Sequence, residues 1–121
     1  MKTKLPPLSE HDIQNLIMSY LQTKGYYCMR LNSGAIITNI GKMVRLAEKG
    51  TPDIFFGLKS GKLTLLAFIE VKSEKGKLSF YQKHFKKECE ERGILHIVAR
   101  SIEDVEFGIK EYVKKLQNIM Y

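Results

Sequence analysis

The sequence predicts an α/β domain in which a mixed central sheet is flanked by helices, with the element order α-β-β-β-α-β-α. Two apolar runs of strand length, at residues 65–69 and 94–99, are separated by a segment with the apolar spacing of a helix. A strand–helix–strand unit of this kind places its two strands parallel in one sheet. The 121 residues suit one domain, assigned to residues 1–121 with a loose N-terminal arm at 1–7.

The first helix is predicted from its capping residues and an apolar stripe. Ser9 is a favoured N-cap and Gly25 a favoured C-terminal residue. The apolar stripe between them consists of Ile13, Leu16, Ile17, Tyr20 and Leu21. Glu10 lies in the first turn at the edge of this stripe, so we expect it to point toward the core margin and not into open solvent. Its alternative role is a first-turn acid favoured by the helix dipole.

Two further β elements are predicted before the middle of the chain. Residues 26–31 form a strand, and residues 35–38 and 43–46 are expected to form a small ribbon. This region contains a cluster of basic residues, namely Arg30, Lys42, Arg45 and Lys49. These side chains could contact phosphates, or they could be solvated charges of a sheet edge.

Residues 50–72 predict the β-hairpin around which the rest of the chain is organised. Its strands are expected at 54–58 and 63–72, and its turn at 59–62 contains Gly61, which can adopt positive φ. The run at 65–69 is nearly all apolar, which suits a strand covered on both faces.

Three charged residues converge where this hairpin ends. Asp53 precedes the first strand and Glu70 closes the second, so antiparallel pairing brings the two carboxylates together. Side-chain alternation places Lys72 on the same face as Glu70. Adjacent carboxylates with a nearby ammonium suit a hard divalent ion such as Mg²⁺. The alternative is a turn residue at Asp53 and a solvated Glu70–Lys72 pair, although only Glu70 of the 13 acidic residues has a lysine two positions on.

The second and third helices are predicted from their caps. Ser79 and Gln82 have the Ser-x-x-Gln spacing of a capping box, and the helix ends at Gly93. Gln82 also lies on the inward side, where its amide could hold a nucleophilic water or a phosphate oxygen. Ser101 caps the last helix, whose inner stripe leaves Phe107 on the opposite face.

The charge and the cysteine spacing narrow the class of protein. The net charge of +7 favours a polyanionic partner, and the loop after the hairpin adds Lys75 and Lys77 to the basic residues. No apolar run approaches the length that spans a membrane, and the start of the chain lacks the apolar segment of a signal peptide. Cys28 and Cys89 are far apart, which indicates neither zinc nor a disulfide framework. We therefore expect a cytoplasmic protein without a membrane partner or a small-molecule cofactor.

These motifs, taken together, resemble a known family. The motifs are Glu10, Arg30-Leu31-Asn32-Ser33-Gly34, Gly50-Thr51-Pro52-Asp53, Glu70-Val71-Lys72, Gln82 and, outside the site, Gly76-Lys77-Leu78-Ser79 and Val98-Ala99-Arg100-Ser101. In this order they resemble the VRR-NUC (virus-type replication–repair nuclease) branch of the PD-(D/E)XK superfamily, over roughly residues 8 to 105. The resemblance implies a restriction-endonuclease-like core and a metal-dependent DNA endonuclease acting on branched or otherwise structured DNA.

The resemblance also assigns roles to individual residues. It implies Asp53, Glu70 and the Val71 carbonyl as ligands of Mg²⁺ or Mn²⁺, Lys72 as the catalytic lysine, and Gln82 and Glu10 as auxiliary catalytic residues. Stand-alone members of this branch resemble compact phage proteins of bacterial cells, and they are similar to Holliday-junction resolvases in forming homodimers. The candidate dimer surface here is apolar and consists of Phe107, Ile36, Ile37, Met43 and Val44.

Two other functions stay open from the sequence. One is a catalytically silent nucleic-acid-binding module of the same fold, against which the intact Asp53, Glu70 and Lys72 argue. The other is an RNA nuclease, and the sequence by itself indicates no aromatic stacking surface that would decide between RNA and DNA.

Overall fold

The structure is a computed structural model that describes residues 5–31, 35–45 and 48–120, without the side chains of Ala35, Ile36, Val44, Arg45 and Met120. The elements in chain order are α1 (Glu10–Thr23), β1 (Cys28–Arg30), β2 (Ala35–Ile37), β3 (Met43–Arg45), β4 (Ile54–Ser60), β5 (Leu63–Val71), α2 (Phe80–Glu91), β6 (Leu95–Ala99) and α3 (Ile102–Met120). The predicted order is confirmed, with β2 and β3 forming the expected ribbon. The predicted break at Asn32-Ser33-Gly34 and the end of the ribbon at Leu46 lie outside the described residues.

The central sheet is mixed, as predicted. Its strand order is β1-β4-β5-β6, in which β4 is antiparallel to both β1 and β5, and β6 is parallel to β5. The hairpin register pairs Ile54 with Ile69. Asp53 is therefore placed opposite Glu70, which confirms the convergence of the two carboxylates expected from the sequence.

Helices cover both faces of this sheet. One face carries Phe56 and Ile69, which are fully buried together with Ile17 of α1 and Val105 of α3. The other face carries Phe68, whose ring lies 5.1 Å from that of Phe85 in α2. Because side chains alternate along a strand, Glu70 shares the α2 face with Phe68. The Glu70 carboxylate thus lies between the sheet and the start of α2.

The hairpin differs from its prediction in two respects. The turn has two residues and not four, because β4 continues to Ser60, which pairs with Leu63. Gly61 occupies the first turn position with φ of 61°, as a type II′ turn requires. The second strand is not covered on both faces along its whole length, since Leu63 and Leu66 are 62% and 42% exposed. Leu66 pairs with Gly57, which offers no side chain to cover it.

The apolar stripe of α1 also differs from its prediction. Leu16 is 47% exposed, whereas Met18 is buried with Ile13, Ile17 and Leu21. The buried arc is centred on Ile17, since α1 packs on both the sheet and α3. In the part of the chain that is described, no helix is both long and apolar enough to cross a membrane.

Candidate active site

Asp53 is fixed by backbone groups from two neighbouring strands. Its Oδ2 accepts a hydrogen bond from the N–H of Val71 at 2.7 Å. Its backbone carbonyl accepts another from the N–H of Leu31 at 2.8 Å, so pairing with β1 extends to this residue. Burial raises the pKa of Asp53, an effect that the hydrogen bond from the Val71 N–H and the charge of Lys72 partly oppose. The carboxylate is therefore held in place at the edge of the sheet and partly removed from water.

Glu70 is almost fully buried, with 3% of its surface exposed. Its Oε1 accepts a hydrogen bond from Nε2 of Gln82 at 2.8 Å and lies 3.9 Å from Nζ of Lys72. Its Oε2 is buried without a hydrogen-bond partner among the described residues. Burial and the nearby charge of Asp53 raise the pKa of Glu70 to about 8. A buried, unpaired carboxylate oxygen of this kind is energetically unfavourable unless a further group or ion binds it.

Lys72 follows the last residue of β5 and is itself 9% exposed. Its backbone N–H donates to the carbonyl of Ala99 at 3.0 Å, which ties it to the end of β6. Its Nζ is the ammonium group nearest to Glu70 among the described residues. The expected placement of Lys72 on the face of Glu70 is confirmed.

Gln82 forms the predicted capping box and also contacts Glu70, whereas the predicted contact of its amide with a water or a phosphate oxygen stays a prediction. Its Oε1 accepts from the backbone N–H of Ser79 at 2.8 Å, and its own N–H donates to Oγ of Ser79 at 3.2 Å, which completes the capping box. The remaining group of the side chain, Nε2, is directed to Glu70. The cap thus determines which end of the amide faces the carboxylate.

This arrangement of two strand-end carboxylates, a lysine and a helix-borne glutamine agrees with a sequence comparison. A family model of the VRR-NUC domain matches residues 8–103. The chain belongs to the VRR-NUC family. Its fold is accordingly of the PD-(D/E)XK type, and the protein is a nuclease of that type, for which family membership implies DNA as the substrate. No curated protein and no solved structure matched the chain.

Glu10 of this VRR-NUC domain lies at the outer margin of the site. The residue as a whole is exposed, whereas the sequence predicted that it points toward the core margin and not into open solvent. A Cβ built on Gly76 would nevertheless lie 3.3 Å from Oε1 of Glu10 and 3.4 Å from Cδ of Lys72. The charge of Glu10 also contributes to raising the pKa values of Asp53 and Glu70. The absence of a side chain at Gly76 therefore leaves room for Glu10 beside Lys72.

The charge balance of the site fits a divalent cation. Three carboxyl groups (Asp53, Glu70 and Glu10) influence one another here, against the single ammonium of Lys72. The described residues contain no cluster of three or more His, Cys, Asp or Glu side chains suited to a metal ion. The predicted ligand set needs only two carboxylates and a backbone carbonyl, and the free Oε2 of Glu70 is the kind of hard donor that Mg²⁺ and Mn²⁺ prefer. Nucleases of this type generally use divalent metal ions.

The predicted nucleic-acid-binding residues lie outside this cluster. Lys42, Lys75 and Lys77 are exposed. Arg30 is also exposed, and its guanidinium donates to Oδ1 of Asn15 in α1. The side chain of Arg45 is outside the described part of the chain, so its prediction stays a prediction.

The sequence did not reveal the supporting roles of Gly50 and Arg100. Gly50 has φ of 87°, and a Cβ there would lie 2.3 Å from the carbonyl oxygen of Tyr81. The loop that leads into Asp53 can therefore lie directly on the first turn of α2. Arg100 donates from its guanidinium to the carbonyl of Ser73, which holds the loop after Lys72. Both residues stand in motifs that resemble the family, but only the contacts show what they do.

Proposed function

We propose that this nuclease hydrolyses phosphodiester bonds of DNA as an endonuclease dependent on Mg²⁺ or Mn²⁺, with a preference for branched or otherwise structured DNA. The observation that carries the proposal is that Oε2 of the buried Glu70, beside the carboxylate of Asp53, has no hydrogen-bond partner among the described residues. Two adjacent carboxylates repel each other, and burial removes the water that would solvate their charges. A cation bound between them would offset both effects.

Asp53, Glu70 and the Val71 carbonyl would hold the metal ion. The N–H and C=O of a strand residue point to the same side, so the Val71 N–H bond to Asp53 indicates that its carbonyl faces that side too. A divalent ion bound there would polarise a phosphoryl oxygen and lower the pKa of a bound water. The protein's own contribution is to fix both carboxylates before substrate arrives, Asp53 through Val71 and Glu70 through Gln82.

Lys72 and the auxiliary residues supply charge and orientation. The Lys72 ammonium, held 3.9 Å from Glu70, is placed to stabilise negative charge that develops on the phosphoryl group. The Gln82 amide keeps Glu70 in one orientation, so that Oε2 and not Oε1 is directed away from the helix cap. Glu10, which borders Lys72 across Gly76, would orient water or add negative charge at the outer margin.

The exposed basic residues would bind the phosphate backbone around this centre. Lys75 and Lys77 follow the site lysine in the loop between β5 and α2, and Arg30 and Lys42 lie on or near the neighbouring β elements. Arg45 is assigned to the same surface from its position in β3. Contacts of this kind carry no sequence information, which agrees with selection of DNA by shape.

A panel of DNA substrates tests the proposal. Wild-type protein with Mg²⁺ or Mn²⁺ should cleave at least one of linear, flap, fork or four-way DNA, and excess EDTA should stop cleavage. Asp53→Ala and Glu70→Ala should abolish cleavage and, in calorimetry, divalent-ion binding, while DNA binding persists or strengthens. Glu74→Ala is the matched control, because Glu74 is an exposed acid in the loop after Lys72.

The same panel separates the proposal from its rivals. A catalytically silent module would bind these substrates but cut none of them in the presence of Mg²⁺ or Mn²⁺. An RNA nuclease would cut the RNA versions of these substrates and leave the DNA intact. Cleavage that continues in excess EDTA would show that the assignment of a metal to Asp53 and Glu70 is wrong.

We further propose that the active form is a homodimer, since one site cuts one strand per encounter. The support is the exposure of three apolar side chains assigned to the dimer surface, Phe107, Ile37 and Met43, which are 66%, 77% and 65% exposed. The side chains of Ile36 and Val44, assigned to the same surface, lie outside the described part. Phe107 borders a groove of about 640 Å³ beside β6, an outer strand of the sheet. Light scattering at micromolar concentration should give twice 14.0 kDa, and a monomer that cuts both strands of a symmetric junction would contradict the proposal.

A further inference from the structure

Two aromatic side chains at the start of α2 are exposed and do not belong to the hydrophobic core. Phe80 is 77% exposed and Tyr81 is 47% exposed. Their rings meet edge to face with centroids 5.5 Å apart. Among the described residues, Phe80 has no other aromatic partner. We call this pair the aromatic platform.

The aromatic platform is held rigidly against the active site. The next residue in the chain, Gln82, donates to Glu70 at 2.8 Å, and its capping box with Ser79 fixes the first turn that carries both rings. On the other side, Gly50 packs against the backbone of Tyr81, three residues before Asp53. The platform is thus connected to both proposed metal ligands through short, well-defined contacts.

Positive charge surrounds the platform. Nζ of Lys49 lies 4.9 Å from the centroid of the Tyr81 ring, a cation–π distance. Lys77 and Lys83 flank the pair in the chain and are exposed. Exposed rings bordered by ammonium groups match a nucleotide, which offers a flat base beside a phosphate, better than an apolar protein surface or a neutral lipid.

We propose that Phe80 stacks on an unpaired base next to the phosphodiester that is cut, while Tyr81 supports the Phe80 ring edge to face. This inference rests on the proposed nuclease function and specifies its substrate class. In a continuous duplex the faces of the bases are covered by their neighbours, so only a base splayed out at a flap, a fork or a junction can lie on Phe80. The platform therefore supplies a physical reason for a preference for branched DNA. The preference would not depend on the base sequence, because every base has a face that can stack.

Binding of a fluorescent base tests the inference without any cleavage. The probe is a forked DNA with 2-aminopurine at the first unpaired position, and its control is a fully paired duplex of the same length, both in EDTA. Wild-type protein should quench the 2-aminopurine of the fork. Phe80→Ala should remove the quenching and weaken fork binding by roughly 5- to 150-fold, the range that corresponds to one stacked base, with little effect on the paired duplex.

Two control variants separate stacking from other effects. Phe80→Leu keeps an apolar side chain without a π face, so it should resemble Phe80→Ala in quenching. Tyr27→Ala removes a ring that is 66% exposed just before β1, outside the site and the proposed dimer surface, and should leave fork quenching unchanged. Circular dichroism and light scattering of each variant report whether the fold and the oligomeric state are kept.

The results that overturn stacking differ from those that overturn the nuclease function. Equal loss of fork and duplex binding in Phe80→Ala, unchanged quenching, or a change of oligomeric state would each refute the platform. Such a result would leave the metal-dependent cleavage of the wild type untouched. Conversely, quenching that depends on Phe80 in a protein that cuts no substrate in Mg²⁺ or Mn²⁺ would support the platform and refute the proposed activity.

Discussion

Gln82 donates from Nε2 to Oε1 of Glu70 at 2.8 Å while its own Oε1 accepts from the backbone N–H of Ser79 at the same distance. One amide therefore caps a helix and orients a buried carboxylate. Since an amide has one acceptor end and one donor end, the cap leaves only the donor for Glu70. The stability of α2 and the geometry of the proposed metal ligand are linked through this side chain.

Substitutions at Ser79 and Gln82 should separate these two roles. Ser79→Ala removes the hydroxyl that accepts from the N–H of Gln82 and should lower the free energy of unfolding by about 0.5–2 kcal/mol, with the cleavage rate nearly unchanged. Gln82→Ala removes the other half of the cap and the partner of Glu70, so it should lower both stability and turnover. Urea denaturation and single-turnover cleavage measure the two quantities.

Gln82→Glu is the matched control for this pair. Its carboxylate still accepts from the Ser79 N–H, but it replaces the donor that faces Glu70 with negative charge. We expect the free energy of unfolding of Gln82→Glu to equal or exceed that of Ser79→Ala, whereas its turnover should be lost. Full activity in Gln82→Glu would show that orientation of Glu70 by the amide does not matter for cleavage.

Lys72 should act on turnover and the exposed basic residues on binding. Lys72→Ala should lower the single-turnover rate by roughly 100- to 1,000-fold, as expected for loss of one group that stabilises developing charge, with DNA affinity little changed. Lys75→Ala or Lys77→Ala should instead weaken binding and reduce the slope of log affinity against log salt by about one unit for each phosphate that the variant no longer neutralises. If Lys72→Ala cuts at the wild-type rate, the Glu70–Lys72 contact is only a structural ion pair.

Gly50 should tolerate substitution less well than Gly61. Both have positive φ, of 87° and 61°, so alanine is strained at either position, at a cost of about 1–2 kcal/mol. A Cβ at Gly61 meets nothing within 4 Å, whereas one at Gly50 would lie 2.3 Å from the Tyr81 carbonyl oxygen. Gly50→Ala should therefore lose more stability than Gly61→Ala in urea denaturation, and it alone should reduce cleavage because the loop into Asp53 must move. Equal losses in the two variants would mean that the loop adjusts without strain.

The contribution of His96 to the stability of the protein should fall at acid pH. Burial, with a smaller contribution from the charge of Lys86, lowers the pKa of this imidazole from 6.5 to about 4, and its Nδ1 is buried without a hydrogen-bond partner among the described residues. The unfolded chain then binds a proton that the folded protein does not. The free energy of unfolding should decrease between about pH 6.5 and pH 4 through this residue, by at most about 3 kcal/mol.

His96→Phe provides the control for this pH dependence. The phenyl ring does not titrate and suits the neighbouring ring of Phe85, whose centroid lies 6.1 Å from the imidazole. Subtracting the variant's pH profile from that of the wild type, by urea denaturation from pH 4 to pH 8, should isolate a loss of stability toward acid. A flat difference would contradict the assignment of a neutral, buried imidazole.

The convergence of Asp53 and Glu70 and the order of elements could be predicted because they depend on local chemistry. An apolar run, a turn that contains Gly61 and a second apolar run predict a hairpin, whose antiparallel pairing brings Asp53 and Glu70 to the same end. The two-residue length of the turn, and with it the register that pairs Ile54 with Ile69, came from the structure. The capping box of Ser79 and Gln82 is likewise formed within four consecutive residues. Side-chain alternation was sufficient to place Lys72 with Glu70.

Burial and long-range contacts depended on the tertiary structure. The sequence determined that α1 has an apolar stripe, but packing against both the sheet and α3 decided that Met18 is buried and Leu16 is not. Only the fold shows that Gly76 leaves room for Glu10, that Oε2 of Glu70 stays free and that Phe80 is uncovered beside the site. Hydrophobic periodicity fixes which residues can face inward, whereas the elements that pack on each face determine which residues do.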